Sequence, residues 1–286
     1  MKKYILACLL LAFPASVLGA TVTGPIQAAP PPSEQAAPVH TMQQRVQPEV
    51  AFALMAAEAE KGSAAAMLTL GQFYEQGVGI RRNYSKALEW YEKAARAGQA
   101  EGYYNLGVCY EIGMGASADA AKALQNYQKA ADMGLPIALN KLASMCISGT
   151  GTAKDTAKGI AYLEKAADAG VAAAANDLGA LYLAGLLGQK KDEKKALAMF
   201  RRAADLGNLE AIRTIAAIHK DGIGTRADPV TAYTWYTIAR RGGYAGEDVV
   251  RMLGLLEGSL SAAQVQQAQK DADFWLEHFA KRQAGR

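Results

Sequence analysis

The chain has 286 residues, of which 51% are apolar and 20% charged, so most of it can fold. Its formal net charge is +4, near balance for this size, and two of those charges are Lys2 and Lys3. That balance gives no electrostatic case for nucleic-acid binding.

The N-terminus reads MKKYILACLLLAFPASVLGA. Two lysines precede an apolar run from Tyr4 to Phe13, and small residues follow at Ser16, Gly19 and Ala20. This layout predicts a secretory signal peptide over residues 1–20, cleaved near Gly19 or Ala20. The apolar run is too short to span a bilayer. Ile5-Leu6-Ala7-Cys8 has the look of a lipoprotein box, but too few apolar residues precede it. The expected location is therefore the periplasm, or outside the cell if export continues, with no integral membrane span.

Residues 21–48 are rich in Pro, Ala and Gln without an apolar period, and read as a disordered tether. Beyond them the chain repeats. Ala94-Ala95-Arg96-Ala97-Gly98 recurs at Ala130, Ala166 and Ala203, with a looser copy ending at Gly242 and an incomplete one ending at Gly62. Successive glycines lie 36, 36, 36, 37 and 35 residues apart, a helix-pair period. Leu70, Leu106, Leu142, Leu178 and Ile215 share one column; Tyr74, Tyr110, Cys146, Tyr182 and His219 share another.

Each column has a physical role. Asn83, Asp119, Asp155, Asp192 and Asp228 precede the second helix of each pair and predict N-caps. Gly98, Gly134, Gly170 and Gly207 predict left-handed helix ends. Gly71, Gly107, Ala143, Gly179 and Ala216 fall inside the first helix, where glycine costs about 1 kcal/mol relative to alanine. Close approach of the partner helix would compensate, with the paired alanines as the expected facing surface. Gly77-Val-Gly79 and its copies resemble phosphate loops but lack the preceding strand and the lysine, so turns explain them.

On Ala66, Gly71, Tyr74, Gly77, Gly79, Lys86, Ala87, Trp90, Tyr91, Lys93, Ala94, Ala95 and Gly98, and their copies, the chain resembles the Sel1-like repeat family, relatives of the tetratricopeptide repeats. The resemblance implies an all-α, right-handed α-solenoid: five repeats with an N-terminal half-repeat over residues 49–243, then capping helices over residues 244–286. Glu247 to Leu256 reads as one capping helix. Ser261 and Gln264 form a capping box for the other, on which Phe274, Trp275 and Phe279 would cover the open end.

By the same resemblance the first helices line a concave groove for a protein or extended peptide, an envelope protein in the first reading. Its candidate positions are Leu68, Gln72, Tyr104, Val108, Glu111, Asn140, Ser144, Asn176, Ala180 and Arg213. Asn140 and Asn176, one repeat apart, could hold a peptide backbone, or could make bonds only within their repeats. The implied function is a non-catalytic interaction scaffold. A peptidoglycan- or β-lactam-binding protein and a secreted effector or host-contact protein are the alternatives. No histidine pair has metal-ligand spacing, and neither a cofactor motif nor a catalytic constellation is present. Cys109 and Cys146 lie in adjacent first helices at different phases, and are expected as buried free thiols. The cysteine pairs of some secreted family members fall within one repeat, a spacing absent here.

Overall fold

A computed structural model describes residues 47–284; the expected signal peptide and nearly all of the expected tether lie outside them. Thirteen α-helices and no strand occur among the described residues. They group into two compact units, one ending at Lys165 and one beginning at Ala166. The first unit holds α1 (Pro48–Glu60), α2 (Ala64–Gln76), α3 (Tyr84–Arg96), α4 (Ala100–Ile112), α5 (Ala120–Asp132), α6 (Pro136–Ser148) and most of α7 (Thr156–Asp168). The second holds α8 (Ala172–Ala184), α9 (Glu193–Asp205), α10 (Leu209–Asp221), α11 (Pro229–Arg241), α12 (Glu247–Glu257) and α13 (Ala262–Ala284). The class is the α-solenoid of helix pairs.

The helix boundaries follow from short polar side chains and glycines. Asn83 Oδ1 accepts from Lys86 N at 3.0 Å, Asp119 from Lys122 N at 3.0 Å, Asp155 from Lys158 N at 2.9 Å and Asp192 from Lys195 N at 2.9 Å. Asp228 caps most fully, accepting from two backbone amides and from Thr231 Oγ1. At the other end of α3, Gly98 N donates to Ala95 O and Gln99 N to Ala94 O, with Gly98 at φ +92°. That is the double bond of a left-handed stop. The Gly-x-Gly turns divide their labour. Gly113 ends α4 at φ +75°, while Gly115 combines φ +78° with an approach to the Tyr84 carbonyl too close for any Cβ. The turn of one repeat is thus seated on the first turn of the preceding repeat's second helix.

The small residues inside the first helices have a partner other than the one expected. A Cβ on Gly107 would lie 2.6 Å from Cδ1 of Tyr127, and one on Gly179 would lie 2.8 Å from Cε1 of Phe200. Gly71 stands in the same relation to Tyr91. An aromatic ring of the second helix, not the alanine pair, lies across each glycine. The alanine pair serves the next repeat instead: a Cβ on Gly102 would meet Ala95 N at 2.6 Å. Two contacts, one within a repeat and one between repeats, therefore need two sets of small residues.

Ser261 and Gln264 close the expected capping box, with Ser261 N donating to Gln264 Oε1 at 2.9 Å and Gln264 N to Ser261 Oγ at 3.3 Å. Phe279 is buried, and Trp275 packs between it and Trp235. Phe274 departs from expectation: it is 64% exposed, its ring against His278. Consecutive helical residues point about 100° apart, so Phe274 and Trp275 cannot cover the same core.

Candidate functional site

The first helices carry the candidate binding positions, and their burial divides sharply by face. In the first unit Leu70, Leu106 and Leu142 are buried, whereas Leu68, Tyr104, Val108, Glu111, Asn140 and Ser144 are half-buried and Gln72 is exposed. In the second unit Leu178 and Ile215 are buried, whereas Asn176, Ala180 and Arg213 are half-buried. None of the ten candidates is lost to the core, and all but Gln72 are half-buried.

Their contacts differ. Leu68 leans on the cluster formed by Ala87, Tyr91, Ala95, Leu106 and Cys109. Tyr104 and Val108 lean on the one around Tyr127, with the Tyr104 and Tyr127 rings 5.5 Å apart. Glu111 is engaged within the chain: it accepts from the Tyr127 hydroxyl of its own repeat and pairs with Lys141 Nζ of the next at 2.9 Å. Glu75 accepts from Tyr91 in the same way. Arg213 is engaged too, with Glu210 at 3.1 Å and Asp248 at 3.4 Å, and it lies over the Tyr244 ring. Asn140 stands apart, because its Oδ1 is buried with no hydrogen-bond partner.

The tyrosine–glutamate pairs were not foreseen from the sequence, although their spacing of 16 residues recurs in the first two repeats. Burial, then the hydrogen bond to the carboxylate, pushes the Tyr91 and Tyr127 hydroxyls far above their ordinary range. The thiols are quiet as well. Burial pushes Cys109 up to about 12 and also raises Cys146, against the opposing pull of Lys158. Both are free and buried, and a raised thiol is a poor nucleophile. His219 occupies the tyrosine column and is buried, its Nε2 unpartnered. No group of side chains suited to a metal ion occurs among the described residues, and none of the described helices is long and apolar enough to cross a membrane.

A pocket of about 370 Å³ opens between α5, α6 and α7, bordered by Leu124, Lys129, Cys146, Lys158 and Tyr162.

The Sel1 repeat model matches residues 64–99, 100–135, 136–171, 172–208 and 210–244. The chain belongs to the Sel1 repeat family. Sel1 repeats act in general as non-catalytic protein-interaction scaffolds. Among solved structures, a Sel1 repeat protein from Oxalobacter formigenes is 28% identical, with a TM-score of 0.68 over 83% of this chain and 95% of that one. The c5321 protein, described as a protective antigen of uropathogenic Escherichia coli strains, is 20% identical. Its TM-score is 0.53 over 82% of this chain and 65% of its own, a likeness of fold alone. No curated protein matches the chain.

Proposed function

We propose that this Sel1 repeat protein is an exported, non-catalytic adaptor that holds a protein partner against the faces of its first helices in the bacterial envelope. One observation carries the reading. Each repeat completes its core with the leucine, glycine and alanine columns, yet the neighbouring first-helix column Leu68, Tyr104, Asn140, Asn176 and Arg213 stays half-buried. In that column Asn140 keeps a buried carbonyl oxygen without a donor, and the side chain would have to turn outward before a peptide N–H could supply one. The signal-peptide layout of residues 1–20 supports export, and the Pro-rich stretch would give the folded part reach.

A photo-crosslinking residue at Asn176 in the living host tests the adaptor reading. A single envelope protein should be captured there, and captured less when Ala180, one turn along the same helix, is made bulky. Strong capture from Lys165, with none at Asn176, would overturn it. Export has its own test: fractionation should find a shortened chain in the periplasm or the medium.

A further inference from the structure

The pocket between α5, α6 and α7 coincides with a departure in the repeat pattern. Three of the five repeats hold a tyrosine in this column, each with a lysine from the first turn of the next helix over its ring. Lys86 Nζ stands 5.3 Å from the Tyr74 centroid, Lys122 stands 5.3 Å from Tyr110 and Lys195 stands 4.0 Å from Tyr182. The third repeat keeps the lysine, Lys158, but replaces the tyrosine with Cys146. Lys158 turns instead toward Tyr162, one turn further along its own helix, at 5.7 Å. The ring is missing and its volume is open.

The walls say what would fill it. Leu124, Leu142 and Cys146 give an apolar floor, and Lys129 and Lys158 stand exposed at the border. No carboxylate is among the lining residues. Lys158 Nζ lies over Tyr162 and Lys129 Nζ over Tyr103, 5.2 Å from its centroid, so an apolar slot bordered by two lysines suits a π face with negative charge beside it. The neighbouring repeats show the same backbone accepting such a ring beneath such a lysine.

We propose that this pocket docks an aromatic side chain carried on an acidic stretch of a partner protein. The pocket lies between two second helices, α5 and α7, and one first helix, α6, and none of the ten first-helix candidates lines it. The proposal therefore stands or falls separately from the first-helix reading.

The test titrates the isotope-labelled protein with the peptide acetyl-Glu-Tyr-Glu-amide and follows the amides of Cys146, Thr152 and Lys158 by NMR. Saturable shifts are expected at millimolar peptide. Acetyl-Glu-Ala-Glu-amide should bind at least about 10-fold more weakly, since the buried ring supplies most of the attraction. Lys158→Ala and Lys129→Ala should each weaken binding about 2- to 5-fold. Cys146→Tyr rebuilds the repeat pattern and should abolish binding while the thermal transition remains cooperative. Should that variant fail to fold, the lysine variants and the alanine peptide still decide. Equal binding of the alanine peptide, undiminished binding by a folded Cys146→Tyr protein, or no shifts up to the solubility of the tyrosine peptide would each overturn the proposal. Tighter binding of free 4-hydroxyphenylacetate than of the peptide would assign the pocket to a small aromatic acid and overturn the protein partner.

Discussion

Repeats two and three share a backbone plan but complete their interiors by opposite means. In repeat two, Gly107 lets the Tyr127 ring lie across α4, and the Tyr127 hydroxyl ends on Glu111. In repeat three the same columns hold Ala143, Leu163 and Ile147. A fourth change accompanies them: Gly159 replaces the alanine of its column, and a Cβ there would meet Ile147 Cγ1 at 2.5 Å. A polar pair spanning the helices gives way to aliphatic contact, and the glycine moves from the first helix to the second. Each repeat has thus settled its packing locally, as expected where stability is a sum over repeats and their neighbours.

The largest test transplants one solution into the other. Leu163→Tyr puts a ring where Ala143 is buried and a hydroxyl where Ile147 offers no acceptor. Overpacking and an unsatisfied hydroxyl together should cost about 2–5 kcal/mol in chemical denaturation. Adding Ala143→Gly and Ile147→Glu should recover more than half of that loss. If the triple variant is no more stable than the single one, the columns are not coupled as described.

Gly107→Ala is the milder break. Its Cβ would lie 2.6 Å from a ring that is fully buried and tied to Glu111. Crowding of about 1–3 kcal/mol is partly offset by the better helix propensity of alanine. Repeat five limits the cost, because Ala216 and Tyr236 coexist in one cluster there. A net loss of about 1–2 kcal/mol is expected by thermal or urea unfolding, and a gain in stability would refute the close-approach account. Tyr127→Phe sharpens the comparison further. It leaves Glu111 with Lys141 alone and should cost about 1 kcal/mol, whereas the same two columns of repeat four hold Phe200, which has no hydroxyl, and Leu183.

The columns of the repeat were legible in the sequence because each records a local requirement. A cap needs an acceptor, and a left-handed turn needs glycine, whatever lies beyond. Partners were less legible. A column gives a residue's place on its own helix, not the side chain that meets it from another. So the ring across Gly107 and the carboxylate beneath Tyr127 emerged only from the fold. The candidate binding positions came from helix phase, and phase alone did not reveal that Glu111 and Arg213 have partners within the chain. The pocket at Cys146 had a visible sign, the missing tyrosine, but its open volume depends on Leu124 and Tyr162 from two other helices.

The smallest effect concerns the same column, where repeat five carries His219 in place of the tyrosine of repeat two. Burial holds its pKa below the ordinary 6.5, the Arg201 charge lowers it further, and Asp228 opposes both. The unfolded chain therefore binds a proton at pH values where the folded chain does not. Stability from this site is complete above pH 6.5 and is lost as pH falls from there toward the lower folded value. The Asp228 carboxyl is held low by hydrogen bonds from Thr231, so its cap stays ionised across that window. Unfolding by urea at a series of pH values should show a modest decline below pH 6.5. His219→Tyr, which restores the ring of the column, should flatten that decline while leaving the Asp228 cap and its later acid loss in place. An unchanged slope in the variant would move the acid sensitivity elsewhere and leave His219 as a purely steric replacement.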